Sequence, residues 1–132
     1  MGRKASVYSL SLTRGSTWTE SFVFSDDETG LPVDLTGFTA RMHIRTLAGR
    51  YGLSTADTLV MELTTANGRL VITPADGQID LVVSATDTAL LSPLNKRVRY
   101  VYGLELVNAA VSPNVVIPFL TGRVSVSPEI IR

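Results

Sequence analysis

The sequence predicts a single all-β sandwich, and three of its features carry that expectation. Apolar residues recur at every second position along most of the chain. Threonine and valine, which favour the pleated surface, are abundant. Glycine- and asparagine-containing turn signals interrupt the alternating runs at short intervals. A period of two places successive side chains on opposite sheet faces, so one face joins a core while the other meets water. With 132 residues and 45% hydrophobic against 18% charged residues, the chain is one domain long and too apolar for disorder.

Taken in order, about eight strands are expected. The first runs over residues 8–13 and ends at Arg14-Gly15-Ser16. In 17–25, Trp18, Phe22 and Phe24 alternate with Thr19, Ser21 and Val23, before a turn at Asp26-Asp27-Glu28-Thr29-Gly30 whose side chains suit capping of their own backbone. In 38–46, Phe38, Ala40, Met42 and Ile44 alternate with Thr39, Arg41, His43 and Arg45. Residues 47–57 form the longest irregular stretch, a setting where binding often resides. A strand at 58–65 precedes Asn67-Gly68, a strong short hairpin signal, and a strand at 69–73. Asp76-Gly77 makes the same kind of turn before 78–84.

One short helical turn is expected at residues 84–91, with Ser84 as N-cap, Asp87 in the first turn where the helix dipole favours an anion, and Pro93 as the stop. The longest stripe follows in 97–108, with Val98, Tyr100, Tyr102, Leu104 and Leu106 in phase. A helical turn leading into a tyrosine-bearing strand suggests the tyrosine corner of immunoglobulin-like sandwiches, with Tyr100 the first candidate and Tyr102 the second. Residues 109–114 reverse the chain into a final strand, 115–127, expected to break at Thr121-Gly122 because the apolar parity switches from Phe119 to Leu120, Val124 and Val126. The expected core comprises Trp18, Phe22, Phe24, Met42, Ile44, Leu81, Leu104 and Val124. The fold class is thus a single immunoglobulin-like antiparallel β-sandwich of about eight strands with one short helical turn. Residues 1–6 are read as an N-terminal arm and 7–132 as the sandwich domain.

Composition removes several functions. Twelve basic residues balance twelve acidic ones, which gives no basic footprint for nucleic acid. The absence of cysteine removes disulfides, thiolate nucleophiles and zinc-finger sites. No apolar run reaches the ~18 residues that span a bilayer as a helix. His43 is the only histidine, set between Arg41 and Arg45 on the polar side of its strand, so it reads as part of a solvated face. Asp26-Asp27-Glu28 lacks calcium-loop spacing and reads as a turn tip. Lys96, Arg97 and Arg99 read as charges that blunt a sheet edge, and Pro118 as another edge device. No catalytic residue, metal site or cofactor is expected. Interaction is assigned instead to Arg50, Tyr51 and Leu53 in the glycine-flanked loop, since Arg and Tyr are enriched at hot spots. Arg3, Lys4, Ile131 and Arg132, in the terminal arms outside clear alternation, complete the set.

Four segments carry a family resemblance. They are Arg14-Gly15-Ser16-Thr17-Trp18, the stretch from Asp26 to Ala40, Tyr100-Val101-Tyr102-Gly103-Leu104-Glu105-Leu106, and Val126-Ser127-Pro128-Glu129-Ile130-Ile131-Arg132. The most specific piece is Gly30-Leu31-Pro32-Val33-Asp34-Leu35-Thr36-Gly37. Together they resemble small tailed-phage and prophage proteins, and in layout the immunoglobulin-like N-terminal domain of phage baseplate upper proteins. Gly103 departs from that pattern, which often has Asp there, and the chain is expected to lack the family's stalk or receptor-binding region after Arg132. The resemblance implies a non-enzymatic structural part of a tailed-phage virion, in the tail, baseplate or tail junction, assembled in the bacterial host cytoplasm. Its implied partners are other virion proteins and copies of itself, with no nucleic acid and no membrane. The alternatives are a head-decoration or adaptor protein, or a carbohydrate-binding module using Trp18, Tyr51 or Tyr102 as a stacking platform.

Overall fold

The computed structural model describes residues 6–46, 59–91, 98–108 and 110–128. Among them are nine strands: β1 (Ser6–Val7), β2 (Leu10–Thr13), β3 (Trp18–Val23), β4 (Phe38–Thr46), β5 (Leu59–Thr64), β6 (Leu70–Thr73), β7 (Gln78–Val83), β8 (Val98–Asn108) and β9 (Val115–Ser127). A single helical turn, α1 (Ala85–Thr88), follows β7, and a 3-10 turn (Pro74–Asp76) joins β6 to β7. One sheet has six strands in the order β1-β9-β8-β4-β5, with β2 also on β9; the other has three, β3-β7-β6. This is the immunoglobulin-like sandwich, with the third and seventh strands in one sheet and the fourth, eighth and ninth in the other.

Two details at the N-terminus differ from expectation. The first strand is split at Tyr8-Ser9 into β1 and β2, and both pair parallel with β9. Ser6, assigned from sequence to the arm, already pairs with Leu120. The register is unbroken across the split, with Val7 opposite Thr121 and Leu10 opposite Val124. Gly122 lies against the Tyr8 carbonyl, where an added Cβ would come within 2.3 Å of the oxygen.

The core lies between the sheets and is built from the alternating residues. Trp18, Phe24, Met42, Ile44, Leu81, Leu104 and Val124 are all buried, as the parity required. Phe22 is only partly buried. It stands edge-on between Tyr8 and Phe119, with ring centroids 6.0 and 6.5 Å away, at the side of the sandwich where β3 faces β9.

Asn67-Gly68 does not close a hairpin. β5 and β6 belong to different sheets, so residues 65–69 carry the chain across the sandwich. Five residues separate the strands where a tight hairpin has two, and Met61 and Leu63 of β5 and Leu70 of β6 all face the shared core. The Asn67 side chain stands in for the missing ladder. Its Oδ1 accepts from the Thr64 and Arg69 amides at 3.0 Å each, and its Nδ2 donates to the Glu62 carbonyl at 3.0 Å. Asp76-Gly77, by contrast, does close the β6–β7 hairpin, with Thr73 opposite Gln78 and Gly77 left-handed at φ 61°.

The basic stretch beginning at Lys96 leads into an interior strand, because β8 pairs with both β4 and β9. Lys96 and Arg97 lie outside the described residues; the edge reading fails for β8 itself. The parity switch in β9 is a bulge, as expected, but it sits at Phe119. Leu120 pairs with Leu104 while Pro118 pairs with Glu105, so Phe119 is the extra residue and the strand continues through Thr121-Gly122.

Tyr100 bonds as a corner requires, nine residues back along the chain, whereas Tyr102 ties β8 to the distant N-terminal segment. Tyr100 Oη donates to the Leu91 carbonyl just after α1, and Tyr102 Oη donates to the Tyr8 carbonyl at 2.6 Å. Ser84 caps α1 by accepting from the Asp87 amide at 3.2 Å. Thr88 is fully buried, and its hydroxyl accepts from the Gly15 amide at 3.0 Å and donates toward the Ser16 and Ala85 carbonyls. One hydroxyl thus ties α1 to the β2–β3 crossing. Thr88→Val keeps the shape but strands these backbone groups, and urea titration is expected to show a loss of about 1–3 kcal/mol.

Burial, together with nearby Tyr8 and Glu20, pushes the Tyr102 hydroxyl up to about 12. The fold therefore favours the neutral phenol. That contribution is complete below about pH 10, the ordinary tyrosine value, and is lost as pH rises toward 12. The urea midpoint is expected to fall across this window, and Tyr102→Phe to make the fall shallower.

Candidate functional site

The residues singled out for interaction, Arg3, Lys4, Arg50, Tyr51, Leu53, Ile131 and Arg132, all lie outside the described residues. The best-formed depression among the described residues is elsewhere, on the outer face of the six-stranded sheet. The same alternation that buries Met42 and Ile44 turns Arg41, His43 and Arg45 of β4 outward. Register sets them in rows across the sheet. Arg41 lies beside Glu105, His43 beside Gly103, and Arg45 beside Val101. On the far side of β8, Gly103 faces Thr121; on the far side of β4, His43 faces Glu62 of β5.

The centre of this face is Gly103. A Cβ built there would meet nothing within 4 Å, and the glycine does not adopt positive φ. Neither strain nor crowding therefore demands glycine, although glycine weakens a strand interior by about 0.5–1 kcal/mol relative to alanine. The missing side chain opens a groove of about 490 Å³ walled by Arg41, His43, Arg45, Glu105, Pro118 and Thr121. That volume falls in the range of small-molecule sites, ~300–1,000 Å³, but the groove lies on a sheet face, not in a cleft between domains.

The polar walls are internally connected. The Arg41 guanidinium pairs with the Glu105 carboxylate. Arg45 Nη2 lies 3.3 Å from His43 Nδ1 and has only protons to offer, so Nδ1 accepts. A neutral His43 then carries its proton on Nε2, which donates to Glu62 Oε2 at 3.1 Å. Both imidazole nitrogens are thereby engaged. The Thr121 hydroxyl, in the same row, donates to the Tyr102 carbonyl at 3.1 Å. These half-exposed pairs add little stability, since surface ion pairs are worth about 0–1 kcal/mol. Their effect is to hold a fixed arrangement of donors and acceptors around the notch.

Among the described residues, no group of three or more His, Asp or Glu side chains is placed to hold a metal ion. The Asp26 carboxylate is taken up by the turn, accepting from the Glu28 and Thr29 amides at 2.8 and 3.2 Å. The stacking-platform reading loses two of its three aromatics. Trp18 is 4% exposed, with its indole N–H directed to Glu20, and Tyr102 is 3% exposed. Tyr51 lies outside the described residues.

Sequence reasoning noted His43 as a solvated residue and Gly103 as a departure, but did not join them. The signal available was a glycine on the polar side of the longest apolar stripe. Pairing it with His43 required the β4–β8 register, which no local pattern contains. No protein-family model and no curated protein matches this chain.

Proposed function

We propose that the protein is a structural docking component of a tailed-phage virion, in the tail, baseplate or tail junction, contacting other virion proteins and copies of itself. The observation that carries a docking role is Gly103, a residue that the strand does not need at the centre of an outward groove with fixed polar walls. Fold-suboptimal residues of this kind concentrate at functional sites. The virion address rests on the resemblance over residues 26–40, where the most specific element makes an ordered crossing between the sheets. There Asp34 Oδ1 accepts from the Thr36 hydroxyl and amide at 2.7 and 2.9 Å, which holds its carboxyl below the usual carboxylate range. The adjacent Leu35 is fully buried, and its amide donates to the Pro74 carbonyl at 2.9 Å.

The test separates docking from folding. Gly103→Val places a strand-favouring side chain in open space, so stability is expected to hold or to rise by about 0.5–1 kcal/mol. Incorporation of the variant into phage particles is expected to fall sharply. A variant that folds and is incorporated at the wild-type level would overturn the assignment of docking to this groove.

A further inference from the structure

We propose that Asn67-Gly68 is a self-modification site, at which the folded corner between the sheets directs conversion of Asn67 to aspartate and isoaspartate. The inference is independent of the virion reading. Three observations carry it. The Asn67 Oδ1 accepts from the backbone amide of Arg69, two residues on, closing a ring of atoms that contains the Gly68 nitrogen. The same oxygen accepts from the Thr64 amide, so two N–H groups at 3.0 Å converge on it. Finally, Asn67 and Gly68 are exposed and line a shallow depression that also includes Arg69 and Asp87, with no atom within 4 Å of where a Gly68 Cβ would stand.

The chemistry follows from those positions. Water or hydroxide removes the Gly68 amide proton, and the nitrogen lone pair forms a bond to Asn67 Cγ while the carbonyl π pair moves onto Oδ1. The Thr64 and Arg69 amides are the donors that meet this developing oxyanion, as a preorganised pair would in an enzyme. The pair returns, the Cγ–Nδ2 bond breaks, and Nδ2 leaves as ammonia with a proton from water. Water then opens the five-membered imide. Cleavage of the new N–Cγ bond yields aspartate, and cleavage of the main-chain carbonyl bond yields isoaspartate. Neither step changes oxidation state.

The product alters the corner. Nδ2 no longer donates to the Glu62 carbonyl, and the new carboxylate oxygen would face that carbonyl. Arg69 is the adjacent cation. Its Nη1 already reaches the Glu62 carbonyl at 2.9 Å, and its Nη2 pairs with Asp87 of α1 at 2.9 Å. A carboxylate at position 67 therefore competes with Asp87 for Arg69, coupling the modification to α1.

Intact-mass and peptide analysis of the folded full chain, aged in mildly alkaline buffer, tests this. The mass gain of an –NH2 to –OH exchange is expected at Asn67 before Asn95, Asn108 or Asn114, at least as fast as in the same chain unfolded in urea. Asn67→Gln, which cannot form the five-membered ring, is expected to lose the signal. Asn67 remaining intact in the folded chain while it converts in urea would show that the clasp protects the residue, and would overturn the proposal. Conversion at other asparagines first would do so too.

Discussion

Leu104→Ala is expected to lower the unfolding free energy by about 2–5 kcal/mol, through lost transfer energy and the cavity left behind. Leu104 is 2% exposed and lies in β8, where it pairs with Met42 on one side and Leu120 on the other. It therefore stands at the middle of the larger sheet's inner face, beside the bulge that sets the register of β9. Neighbours on two strands anchor the cavity walls, which limits collapse. The urea midpoint should fall with little change in slope, because native and unfolded surfaces change hardly at all. An unchanged midpoint would mean that the inward parity of β8 is wrong. Since Gly103 is the adjacent outward residue, the groove assignment would fall with it.

Gly77→Ala is expected to have an effect of similar size, on the order of 3 kcal/mol, from backbone strain and crowding together. Gly77 is left-handed at φ 61°, and an alanine Cβ would approach the Val33 carbonyl oxygen to 2.6 Å and the Phe24 carbonyl oxygen to 2.9 Å. Both are main-chain atoms, so no side-chain rotation relieves the contact. The Phe24 amide also donates to the Gly77 carbonyl at 2.8 Å, and the Val33 amide to the Phe24 carbonyl at 2.8 Å. The β6–β7 turn is thus locked to the crossing that carries Asp34 and Leu35. Thermal denaturation should show Gly77→Ala well below wild type, whereas Gly68→Ala, with open space around it, should suffer only the left-handed penalty of about 1–2 kcal/mol.

What could be read from the sequence was what local physics determines. Period-two alternation over 38–46 and 97–108 identified β4 and β8 and their buried faces, because inward direction depends only on a residue's own strand. Ser84 and Asp87 announced α1 for the same reason, and Tyr100 was recognisable because its partner Leu91 is close in sequence. What failed were statements about neighbours across the sheet. Asn67-Gly68 carries a turn signal, yet nothing local says whether the next strand returns to the same sheet or crosses to the other. Basic residues near the start of β8 suggested an edge, whereas pairing with β4 and β9 puts that strand inside. The groove was hidden likewise. His43, Glu62, Gly103 and Thr121 come from four strands, and only their register makes them one row.

Docking of this sandwich into a tailed-phage particle is what we propose. Mass spectrometry of purified particles, from a phage that carries this gene, tests it most directly. Peptides of this chain are expected in intact particles, at a fixed ratio to the known tail proteins. Particles that are complete and infectious but contain none of this chain would contradict it.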